Sequence, residues 1–153
     1  MGRHRRPRSR WLRRVTLLID TSGLLVYLDA AAAGQQACAA IVEAEDELVL
    51  SPFVLAEADY LINRRLGAAA ALRLLADVAA GAYRLASFDQ DDVQAAGTVL
   101  QRFEDLGVGL TDASLVVLAD RHQTGRILTF DERHFRALRW ARRRAFTLLP
   151  KDD

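Results

Sequence analysis

A chain of 153 residues with 51% apolar and 27% charged residues suits one globular domain and is too apolar for a disordered chain. Its net charge of +1 divides unevenly: residues 1–14 hold seven arginines and no acid, leaving 14 basic against 20 acidic residues over 15–153. One cysteine, Cys38, excludes a disulfide framework and a multi-cysteine zinc site. No apolar run approaches the ~20 residues that cross a bilayer, and no signal-peptide core stands near the start, so the cytoplasm is the expected compartment.

Residues 1–14 have no helical or strand period and read as a basic, disordered tail ahead of a domain over 15–153. Val15-Thr16-Leu17-Leu18-Ile19 is too short for a helix and apolar on both faces, as a central parallel strand is. Helices over Leu24–Asp29 and Gln35–Glu45 lead to a strand at Glu47–Leu50. Ser51 then caps a helix that takes Pro52 at its first position and runs to Arg65, where Gly67 breaks it. A helix over Ala68–Ala80, a strand at Tyr83–Ser87 and a helix over Asp89–Glu104 follow. Thr111 is expected to cap a helix over Asp112–His122. Arg126–Phe130 reads as a strand, Glu132–Leu138 as a short helix and Ala145–Leu149 as a last strand. Strands alternating with helices imply an α/β fold, a parallel sheet with helices on both faces.

Ligands of open parallel sheets bind beyond the carboxyl ends of the strands. Four acids from separate segments converge on that edge: Asp20 after the first strand, Glu57 in the second turn of its helix, Asp112 at a helix start, and Asp131 after the Arg126–Phe130 strand. Singly, most have an ordinary explanation. Asp20 would serve as a helix cap, Asp112 would complement a helix dipole, and Asp131 would make an Asx-type turn. Glu57 is harder to explain away. It lies about 60° from Val54 and about 40° from Leu61 on the helical wheel, within an apolar sector where an unpaired carboxylate is costly. A shared cation would give it a partner.

Carboxylates without a histidine or cysteine cluster suit Mg²⁺ or Mn²⁺, and such a site performs phosphodiester hydrolysis. Without the ion, mutual repulsion would keep at least one acid protonated. Ser22 has no histidine near it, and Lys151 is the one lysine. A dehalogenase-type phosphatase site wants an acid at position 22, and a receiver-type site wants a lysine late in the sheet. A competing class is a non-catalytic nucleic-acid-binding module acting through the arginine tail, which leaves Glu57 unexplained. His122 and His134 read as solvated surface residues, Cys38 as a small buried hydrophobe, and Trp140 as a structural side chain. Arg64-Arg65 and Arg142–Arg144 are candidate phosphate contacts.

The segments LLIDTSGLLVYL (17–28), SPFVLAEADYL (51–61), GLTDASLVVLADRH (109–122) and ILTFDERHF (127–135) together resemble the successive signatures of PIN domains, and more narrowly of VapC-type toxins of type II toxin–antitoxin systems. The resemblance implies a PIN-like sheet flanked by helices and a Mg²⁺- or Mn²⁺-dependent endoribonuclease. It places catalytic, metal-binding acids at Asp20, Glu57 and Asp112, with Asp131 as a fourth, more variable one. Thr21, Thr111 and Thr129 match hydroxyl positions near that site. It further implies a homodimer, a cognate VapB-type antitoxin and a structured RNA substrate of the translation machinery, tRNA or rRNA, with no membrane partner. The arginine tail departs from the pattern, since family members start close to the first strand.

Overall fold

The computed structural model describes residues 15–153, so the reading of 1–14 as a tail lies outside the described residues. Five strands form a wholly parallel sheet: β1 (Thr16–Ile19), β2 (Glu47–Leu50), β3 (Arg84–Leu85), β4 (Arg126–Leu128) and β7 (Thr147–Leu149), in the order β3-β2-β1-β4-β7. Leu17, Leu18 and Ile19 are wholly buried, because β1 is central and covered on both faces. Each such side chain contributes about 1.5–3 kcal/mol of burial. The flanking strands supply Val49, Leu50, Ile127, Leu128, Leu148 and Leu149 to the same core.

Seven α-helices join the strands among the described residues: α1 (Thr21–Leu28), α2 (Gln35–Ala44), α3 (Pro52–Leu66), α4 (Ala68–Ala79), α5 (Gln90–Arg102), α6 (Leu110–His122) and α7 (Glu132–Phe135). None is long and apolar enough to cross a membrane. In α6 every residue from Ala113 to Ala119 is buried, as expected of a helix apolar all round. A small antiparallel hairpin, β5 (Arg139–Trp140) with β6 (Arg144–Ala145), stands apart from the main sheet.

Several boundaries differ from the sequence expectation, each for a local reason. α1 begins three residues early, at Thr21, so the chain turns into helix as soon as β1 ends. Gly109, not Thr111, occupies the cap position of α6, and no side chain caps that end. Arg84 and Leu85 alone pair at β3, an edge strand with one neighbour. The segment expected as one strand over Ala145–Leu149 divides at Phe146, whose buried ring packs edge-on against Phe135 at 5.5 Å. Cys38 is buried as expected, and Trp140 is buried within the chain itself.

The chain leaves β1 toward β2 on one side and receives β4 on the other. The crevice between the ends of β1 and β4 is therefore the topological switch point, where α/β sheets place their ligands.

Candidate active site

Two hydrogen-bond systems assemble this crevice. The first ties the end of β1 to the loop after β4. The Asp20 N–H donates to the Leu128 carbonyl at 3.1 Å. Its carboxylate accepts from the hydroxyls of Ser22 (2.9 Å) and Thr129 (2.7 Å). Those hydroxyls in turn accept the Phe130 and Asp131 N–H groups at 2.9 and 3.0 Å. Asp20 stands at the cap position of α1 yet its side chain caps nothing. Capping does not explain it.

The second system ties α3 to α6. Ser51 caps α3 by accepting the Phe53 N–H at 3.2 Å. Its buried hydroxyl also meets that of Ser114 at 2.8 Å, and Ser114 donates to the Thr111 carbonyl at 2.6 Å. The start of α3, which carries Glu57, is thereby held beside the start of α6, which carries Asp112.

The result is a pocket of about 440 Å³ lined by Asp20, Glu57, Asp112, Asp131 and His134, with Thr21 and Ser22 on its wall. All four acids expected from the sequence therefore face one cavity, and among the described residues no lysine or arginine lines it. Asp112, Asp131 and His134 stand close together, with ligand atoms within 4.8 Å of one another. Asp131 also accepts the His134 N–H at 3.1 Å, so its turn-forming role and its place in the pocket coexist.

Two expectations need correction. Glu57 is exposed, not buried in an apolar sector. Its apolar neighbour Leu61 lines the open pocket together with Leu25 and Leu110; a helical wheel reports angle and not depth. His134 is not a surface residue. Its Nδ1 lies 2.9 Å from carboxylate oxygens of both Asp112 and Asp131, although neither sits in line for a hydrogen bond. Asp131 followed three residues later by His134, at the start of a short helix, was the sequence signal for it.

Burial pushes the Asp20 carboxyl above the usual range, against the opposing effect of the Thr129 and Ser22 hydroxyls. Burial first, then the charge of Asp20, pushes Asp112 up to about 6, while His134 opposes the rise. A carboxyl raised in the fold binds its proton more tightly there than in the unfolded chain. Its contribution to stability therefore falls as pH rises from about 4 to about 6. We expect the melting-temperature advantage of Asp112→Asn over the wild type, in EDTA, to widen across that window. A gap independent of pH would contradict the assignment.

Thr129→Val keeps the shape but removes the donor to buried Asp20 and the acceptor for Asp131. Urea unfolding should show a loss of about 1–3 kcal/mol, largely restored by Thr129→Ser.

Comparison with known proteins decides the family. The PIN domain model matches residues 17–141. The chain belongs to the PIN-domain family. Within it, the chain is similar to ribonuclease VapC26 of Mycobacterium tuberculosis, 42% identical over 135 residues, which cover 88% of this chain and all of that protein. This places it among the VapC ribonucleases. The fold is also that of VapC20 of Mycobacterium tuberculosis, a sarcin–ricin loop cleaving toxin (TM-score 0.70, 21% identity, 76% of this chain and 90% of that one). A toxin–antitoxin complex from Klebsiella pneumoniae shares it too (TM-score 0.59, 16% identity, 80% and 92%).

PIN nucleases are hydrolases that use a divalent metal. The residues of this pocket fit one. Its donors are carboxylates and one imidazole, and the buried Thr21 Oγ1 and His134 Nδ1 both lack a hydrogen-bond partner. An oxygen-rich set of this kind matches a hard cation.

Proposed function

We propose that this PIN-domain pocket holds Mg²⁺ or Mn²⁺ through Asp20, Glu57, Asp112 and Asp131, and hydrolyses RNA by attack of water on a phosphodiester. The observation that carries the reading is four acids from four segments facing one cavity, with no lysine or arginine among the described residues to balance them. The bound cation would offset charge on the phosphate oxygens and ease deprotonation of the water. Asp20, locked by two hydroxyls, holds a fixed position, and exposed Glu57 is free to adjust to the ligand. Leu25, Leu61 and Leu110 wall the pocket.

The substrate is a structured RNA of the translation machinery, tRNA or rRNA. Support comes from VapC20, described as cleaving the sarcin–ricin loop. Selection among such RNAs would rest on shape and unstacked bases. The partner is a VapB-type antitoxin, whose basic side chains would pair with Asp20, Glu57 and Asp112, and the working unit is a homodimer. Structures of VapBC2 from Rickettsia felis and VapBC from Salmonella typhimurium share the fold, with TM-scores of 0.58 and 0.53. The four acids give the arginine tail no exclusive claim on function.

Incubating the purified chain with total cellular RNA tests the reading. Discrete cleavage ends should appear with Mg²⁺ or Mn²⁺, vanish in EDTA and return when the ion is restored. Cleavage indifferent to EDTA would overturn it.

A further inference from the structure

A ribonuclease whose pocket is lined by acids repels its polyanionic substrate, and residues 15–153 are acidic overall. The bound cation would offset part of that charge at the cleaved phosphate, and cationic surface elsewhere would hold the rest of the RNA. The β5–β6 hairpin supplies such a surface in a built form. Arg142, Arg143 and Arg144 are exposed. None of them has an ion-pair partner among the described residues, and residues 1–14 contain no acid that could provide one. Arg139 is different: its guanidinium donates to the carbonyls of Arg136, Ala137 and Leu138, and holds the hairpin base.

The turn is fixed from several sides. Asp120 of α6 accepts the Ala141 N–H, and Arg102 donates to the Arg142 carbonyl at 2.7 Å. Trp140 donates its indole N–H to the Ala145 carbonyl at 3.1 Å, and the Arg144 guanidinium lies over its ring at 5.1 Å. Ala141 and Arg142 nevertheless adopt left-handed backbone, with φ of 43° and 72°. Glycine or asparagine fits that conformation with less strain. Strained backbone of this kind persists where the surroundings enforce it, and it clusters at functional positions.

Resting on the ribonuclease reading of the pocket, we infer that Arg142, Arg143 and Arg144 form a phosphate-binding exosite for the folded part of the RNA substrate, away from the bond that is cut. Arginine forks match phosphate oxygens pairwise. Asp112 and Asp120 lie eight residues apart on α6, about 12 Å along its axis. An RNA that reaches both the acids and the hairpin must therefore extend at least about two or three nucleotides past the bond that is cut.

The test measures binding of labelled bulk tRNA to full-length Asp20→Asn protein in Mg²⁺ over a range of salt. RNA left intact in that mixture reports separately on the pocket. Arg142→Ala/Arg143→Ala should weaken binding and flatten the plot of log affinity against log salt by about 1.4–1.8, the release expected for two phosphate contacts. Arg142→Lys/Arg143→Lys should restore the slope, and Arg73→Ala, on α4, should leave it unchanged. A parental slope in the alanine variant would overturn the exosite, as would failure of the lysine variant to restore it. So would a parental slope combined with loss of a copurifying antitoxin, which would assign the hairpin to a protein contact.

Discussion

Replacing Asp20 with asparagine is expected to reduce metal-dependent RNA cleavage a thousand-fold or more, about 4 kcal/mol of transition-state stabilisation, while making the metal-free fold more stable. Both effects follow from one environment. Asp20 is buried, and its carboxyl is raised chiefly by that burial. The neutral amide has nearly the same shape, still accepts from Ser22 and Thr129, and carries no charge to desolvate. It also removes the charge that raises Asp112. Thermal unfolding in EDTA should therefore show a higher melting temperature for the variant, by roughly 2–4 °C for each kcal/mol gained. A fall in melting temperature would mean that activity was lost through folding. Retained cleavage would remove Asp20 from the chemistry.

The largest stability effect should come from a glycine. A Cβ built on Gly23 would stand 2.2 Å from the Leu128 carbonyl oxygen and 2.6 Å from its carbon. Both are backbone atoms of β4, so α1 itself would have to move. Alanine ordinarily stabilises a helix relative to glycine, but overlap with a buried strand reverses the sign. Urea unfolding of Gly23→Ala should show a loss of about 3 kcal/mol. Cleavage should fall by more than ten-fold, because the same approach brings Ser22 and Asp20 against Thr129, and small misplacements at a reacting centre are expensive. Gly97, in α5, has no atom within 4 Å of an added Cβ. Gly97→Ala should stabilise by about 0.5–1 kcal/mol. Equal effects at the two positions would contradict the packing described for α1.

Much of the site was legible because its acids sit at element boundaries. The run Leu17-Leu18-Ile19 is apolar at every position, so its burial on both faces and the location of Asp20 at its end could be read directly. Asp131 followed from the same reasoning at β4, though Thr129 and Phe130 intervene between the paired strand and the acid. Glu57 lines the same pocket as the other acids, but not for the reason its sequence suggested. Of its apolar helical neighbours, Leu61 walls the pocket while Val54 belongs to the core, and a one-dimensional pattern does not distinguish the two. His134 was passed over because its chain neighbours are charged, while its partner Asp112 is 22 residues away. The Ser51–Ser114 contact spans 63 residues and has no local signature. The hairpin arginines were visible as a run, but the left-handed turn that displays them depends on Asp120 and Arg102, which no local pattern connects to it.

The PIN-domain pocket is held to be a divalent-cation site built by acids from four segments, and Mn²⁺ tests this most directly through its anomalous X-ray scattering. Crystals of the full chain grown with Mn²⁺ should give an anomalous peak among the carboxylates of Asp20, Asp112 and Asp131, lost in Asp112→Asn crystals grown alike. A pocket without a peak at saturating Mn²⁺, in protein that cleaves RNA, would contradict the account.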